Sequence, residues 1–76
     1  MSWNLRIIKD PNVSEFQYSI REVYYDINDK PILYDTNPQP MIGDDVKSLK
    51  WYHKEMAKAF KKPVLVIQEN DSLKEE

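Results

Sequence analysis

Hydrophobic and polar positions divide the chain into a strand-like first half and one helical stretch. From Trp3 to Lys9, Trp3, Leu5 and Ile7 alternate with Asn4, Arg6 and Ile8, the two-residue period of a strand. Asp10-Pro11-Asn12 breaks that run, because Asp and Asn favour turns and Pro cannot donate a ladder hydrogen bond. Phe16 to Tyr25 reads as the clearest strand. Phe16, Tyr18, Ile20 and Tyr24 share one face, and Ser19, Arg21, Val23 and Tyr25 the other. Asp26 to Pro31 predicts a hairpin turn whose Asn and Asp residues tolerate positive φ in place of glycine. A third strand is expected over Ile32 to Thr36, ended by Asn37-Pro38-Gln39-Pro40.

Gly43-Asp44-Asp45 introduces the helix, with Asp44 expected as N-cap and both acids complementing the positive end of the helix dipole. The helical pattern runs to Lys61 or Lys62 and stops at Pro63. At about 100° per residue, Val46, Leu49, Tyr52, His53, Met56, Ala57 and Phe60 fall together as the expected core face. Lys47, Lys50, Lys54, Lys58 and Lys61 fall together on the opposite side. Val64 to Gln68 suits a short fourth strand or an extended segment laid on the sheet. Glu69 to Glu76 is polar and charged, the composition of a flexible acidic tail.

The expected fold is therefore α+β. A three-stranded antiparallel sheet in the order β-β-β-α carries one amphipathic helix on one face, in a single domain over residues 1–68, with a tail at 69–76. The 76 residues form a modest domain whose stability is a small surplus over the entropy of ordering. No cysteine is present, so disulfides and thiolate metal sites are excluded, and a reducing cytoplasm is compatible with the composition. The segment Met1 to Arg6 has no apolar run of signal-peptide length, and Val64 to Ile67 is far too short to span a bilayer.

Net charge is −2, but it is unevenly spread. Between Asp44 and Lys62, six lysines against three acids give +3, which leaves −5 for the rest of the chain. The lysine stripe is either a solvated face that keeps a small protein soluble or a contact surface for an acidic partner. Trp51 bears on that choice, since it projects beside Lys47, Lys54 and Lys58 and away from the expected core face. Tryptophan is enriched at binding hot spots. Lys47, Lys50, Trp51, Lys54 and Lys58 are accordingly the candidate partner-binding residues. The stripe contains no arginine, the usual source of bidentate base readout, so nucleic acid is the weaker reading. A second copy of the chain, paired through edge strands, is a further candidate partner.

Catalytic chemistry is missing. The single histidine, His53, sits at the edge of the expected core face as a packing residue, and the single glycine leaves no phosphate-cradling loop. Glu22 and Asp35 are placed to oppose each other across the hairpin, but nothing gives them a pocket. Tyr18, Tyr24, Tyr25 and Tyr34 suit a sheet–helix interface better than a base-stacking platform. No catalytic, cofactor or metal residue is expected.

Several segments carry a resemblance: Trp3-Asn4-Leu5-Arg6-Ile7, Tyr18 to Asp26 (YSIREVYYD), Lys30-Pro31, Asn37-Pro38 and Lys62-Pro63-Val64-Leu65. They resemble a family of short uncharacterised proteins of bacteria and their phages with a WNYRV…YxIxEVYYDxxGKP…KPVL pattern. Gly43, Leu49, Met56 and Ala59 sit in register with it. The chain departs from the pattern at Asp29, where the family has glycine, and in its lysine-rich helix. The resemblance implies a single domain and carries no activity. The strand–strand–strand–helix order is also similar to small antitoxin domains shaped like half of a ribonuclease H fold, which implies protein partners and dimerisation.

Overall fold

The computed structural model describes residues 2–76; Met1 lies outside them. Five strands and one helix follow in order: β1 (Ser2–Lys9), β2 (Tyr18–Tyr25), β3 (Pro31–Tyr34), α1 (Val46–Ala59), β4 (Leu65–Ile67) and β5 (Leu73–Glu75). The architecture is α+β, but the sheet is larger than expected and mixed. Its order is β3-β2-β1-β4-β5, antiparallel throughout except that β4 runs parallel to β1. The expected antiparallel three-stranded unit is present as β1–β3. The chain then crosses through α1 and lays β4 along the other side of β1, which makes β1 the central strand.

The second strand begins at Tyr18 rather than Phe16, because Phe16 adopts φ 53 and cannot continue a ladder. The third covers Pro31–Tyr34 instead of Ile32–Thr36, since the Asp35 carboxylate turns back to accept the Asn37 N–H at 2.9 Å. Residues 69–76 are not simply a tail. Gln68 N–H donates to Ser72 C=O (2.8 Å), Asp71 takes φ 64, and Leu73–Glu75 pairs with β4.

Register and pleat assign one sheet face to Ile8, Val23, Tyr25, Leu65 and Ile67, and these form the buried cluster. Ile8 and Val23 are fully buried. Tyr34 from β3 and Leu73 from β5, at opposite ends of the strand order, both pack against this cluster, so the sheet curls around it. Burial raises the Tyr34 hydroxyl above the ordinary tyrosine range, and the charges of Asp71 and Asp10 push the same way. Asp71 belongs to the β4–β5 turn, which the curl has brought within electrostatic reach of β3.

Helix α1 lies against β1 on the other face, where Leu5 is buried, and its own fully buried residue is Ala59. The inward stripe is Ser48, Leu49, Tyr52, Glu55, Met56 and Ala59. This is rotated about 80° from the expected core face. Val46, His53, Ala57 and Phe60, expected inside, are exposed. The N-cap is Asp45, not Asp44: Asp45 is extended (φ −152, ψ 175) and accepts the Ser48 N–H at 2.8 Å. Gly43 is required by close approach. A Cβ there would stand 2.8 Å from Ser48 Cβ and 3.1 Å from Leu49 N. Beyond Ala59 the chain tightens through Lys61 N–H to Lys58 C=O and Lys62 N–H to Ala59 C=O before Pro63 ends it.

The cap makes a pH prediction. The hydrogen bond from Ser48 holds the Asp45 carboxyl below its ordinary pKa. A depressed folded pKa contributes stability above the unfolded value near 3.8, which is lost as pH falls through the folded one. Acid titration followed by circular dichroism at 222 nm should show α1 weakening below pH ~4. Asp45→Ala should be less helical at pH 7 and lose that part of the acid response.

Candidate interaction surface

Helix geometry places every predicted contact residue on the solvent side of α1. Lys47, Lys50, Lys54 and Lys58 are exposed, nearly opposite the inward stripe. Lys58 Nζ donates to Glu55 Oε1 at 3.0 Å, which ties one lysine to the helix itself. No carboxylate among the described residues lies within ion-pair distance of Lys47, Lys50 or Lys54. Trp51 is 49 % exposed. Its ring stands edge-on to Tyr52, with centroids 5.1 Å apart and planes at 81°. Tyr52 belongs to the inward stripe, so it anchors one edge of the indole while the rest of the ring stays in water.

Sheet edges offer less. β3 contains Pro31 and has a register shift opposite Tyr24/Tyr25, while β5 is three residues long and carries Lys74 and Glu75. Short, charged, proline-bearing or bulged outer strands discourage further pairing. What the sheet does expose is a row across three strands. Trp3 pairs with Tyr24 and Tyr24 with Leu33, and Trp3 and Leu33 are more than half exposed.

The other residues singled out in the sequence have structural duties or none. Glu22 and Asp35 are cross-strand neighbours, joined by Asp35 N–H to Glu22 C=O at 2.9 Å. The Glu22 carboxylate accepts the Tyr24 hydroxyl at 2.7 Å, and this hydrogen bond leads the upward shift of the Tyr24 pKa. Of the four tyrosines, Tyr25 is buried in the inner cluster and Tyr34 packs on it, whereas Tyr18 is exposed. Among the described residues no helix is long and apolar enough to cross a membrane.

Two features escaped the sequence reading. Phe16 is 91 % exposed at φ 53, a bulky side chain held out on a left-handed backbone. Arg6, in the middle of β1, is buried to 7 % exposure. Its alternation with Asn4 and Ile8 was the available signal, because Ile8 shares its face.

Comparison with known proteins finds no matching family model, curated relative or solved structure.

Proposed function

We propose that this domain is a non-enzymatic accessory protein of the cytoplasm that binds an acidic protein partner through the outer face of α1. The observation that carries the reading is Trp51: a half-exposed indole, fixed at one edge by Tyr52, beside three lysines without internal partners. An aromatic anchor ringed by one sign of charge suits a partner surface of carboxylates around an apolar notch. Lysines steer such a partner in and fix its register, and the tryptophan supplies the desolvated contact.

The test uses the native host. A tagged domain should retain an acidic protein that, once purified, binds it directly. Trp51→Ala should weaken that binding by about 2 kcal/mol or more. Wild-type retention should weaken as salt rises, and reversing Lys47, Lys54 and Lys58 to Glu should abolish it. All four residues are exposed, so each variant should keep the wild-type circular dichroism spectrum. Direct binding that survives the triple reversal would sink the proposal. Retention of nonspecific DNA or RNA at low salt, with a steep salt slope, would replace it with a polyanion-binding reading.

A further inference from the structure

The inner face of β1 holds a cation with no counter-ion. Arg6 is 7 % exposed, and no carboxylate among the described residues pairs with it. One Nη1 N–H donates to Tyr25 Oη at 2.9 Å and one Nη2 N–H to Pro63 C=O at 2.7 Å. Both acceptors are uncharged. The Nε–H has no acceptor at all. Across the ladder Arg6 faces Arg21, whose guanidinium is likewise bound only to the Ser19 hydroxyl and the carbonyls of Asp35 and Thr36. Two like charges opposite each other on one sheet face repel, and burial removes the water that would screen them.

Arg6 lines a cleft of about 260 Å³ together with Trp3, Asn4, Tyr25, Asp29 and Lys62. Its polar wall is rich in donors. Tyr25 Oη donates to Asn4 Oδ1 at 2.7 Å, which occupies the asparagine's acceptor and leaves its amide N–H groups free. Lys62, at the exposed junction of α1 and β4, adds an ammonium. Asp29 is the one carboxylate, in the exposed β2–β3 turn. A wall of unfilled donors around a buried guanidinium matches a ligand that only accepts and carries negative charge.

We propose that this cleft binds a small oxyanion, a carboxylate or phosphate group, on Arg6 and Lys62 with Trp3 flanking its entrance. The site shares no residue with the outer face of α1 and stands whether or not that face binds a protein. Its volume suits a headgroup or small molecule rather than a drug-sized ligand. Asp29 weakens the site by repulsion, so removing its charge strengthens binding.

The experiment is a titration of the full chain with inorganic phosphate, acetate and benzoate at constant ionic strength, followed by ¹H–¹⁵N spectra that include arginine Nε–H signals. At least one anion should saturate with a dissociation constant of about 10 mM or tighter, shifting Arg6 Nε–H and the Tyr25 and Lys62 amides together. A preference between phosphate and the carboxylates names the source of the group. Lys62→Met, at an exposed position, should weaken binding about tenfold, and Asp29→Asn should tighten it. Arg6→Lys, which keeps the charge but loses the fork, should abolish the preference among anions. Shifts that rise linearly with all three anions, saturable shifts confined to the helix lysines, or an affinity unchanged in Lys62→Met would each overturn the assignment.

Discussion

Ile8→Ala should remove most of the domain's stability at 25 °C. Ile8 is fully buried at the centre of the sheet, paired with Ser19 of β2 on one side and Leu65 of β4 on the other. It therefore joins the antiparallel unit to the crossover half. Truncating a buried isoleucine to alanine costs about 2–5 kcal/mol, part lost transfer energy and part the cavity left behind. A chain of this size has roughly 5 kcal/mol to lose. Few neighbours can move in, because Val23 and Leu65 are already fully packed against it. Urea titration by circular dichroism checks the result. Wild type should show one cooperative transition, and the variant a transition at much lower urea with a shortened folded baseline. A variant that unfolds with the wild-type midpoint would place the core elsewhere. Ile8→Val should cost much less, about 0.5–1.5 kcal/mol, and remain folded.

How far the chain itself announced this arrangement depends on how local each signal is. The alternation from Trp3 to Lys9 and the aromatic run to Tyr25 are strong two-residue periods, and both became strands. The turn Asn28-Asp29 carries its own chemistry. Asp29 takes φ 60, a conformation that favours glycine. The same dipeptide recurs as Asn70-Asp71, with Asp71 at φ 64, and it too makes a hairpin turn. There the charged surroundings hid the signal, because Leu73 alone supplies the apolar position of β5. Composition measures how much apolar surface a segment can bury, not whether its backbone can complete a neighbour's ladder.

The helix shows a different limit. Val46 and Phe60, at its two ends, pulled the expected face toward themselves, yet both are exposed. The inward stripe instead uses the small residues Ser48 and Ala59, which let α1 approach β1 closely. Gly43 serves a different closeness, letting the entering chain pass against Ser48 and Leu49 of the helix's own first turn. Small residues are invisible to a search for large apolar ones. The lysine stripe survived this error because it lies nearly opposite the observed inner stripe. The Arg6 cleft was out of reach for a similar reason. Its parts come from β1, the end of β2, the β2–β3 turn and the helix exit, and only the crossover that lays β4 beside β1 gathers them.

Removing residues 71–76 should both destabilise the domain and make it associate. The loss includes the Leu73 contact with the inner cluster, worth about 1–2 kcal/mol for a partly buried leucine. It also includes the β4–β5 ladder and the Glu76 N–H bond to Val64 C=O, at about 1 kcal/mol for each backbone bond. The Tyr18–Glu76 hydrogen bond is long (3.2 Å) and the Lys9–Glu76 ion pair longer (4.0 Å). Both are exposed and add little. A flexible tail would cost nothing on removal, so the size of the drop in urea midpoint measures whether β5 is a structural strand. The second consequence follows from what β5 covers. Val64-Leu65-Val66-Ile67 is a continuous apolar run, and without β5 its backbone becomes an unpaired edge with no charge or proline within it. Such an edge pairs with its own kind. Sedimentation at micromolar concentration should show the truncated chain forming dimers and larger species. Val66→Lys in the truncated chain should restore a monomer without restoring the lost stability. A truncated chain that stays monomeric with the wild-type urea midpoint would return residues 71–76 to the role of a solvated tail.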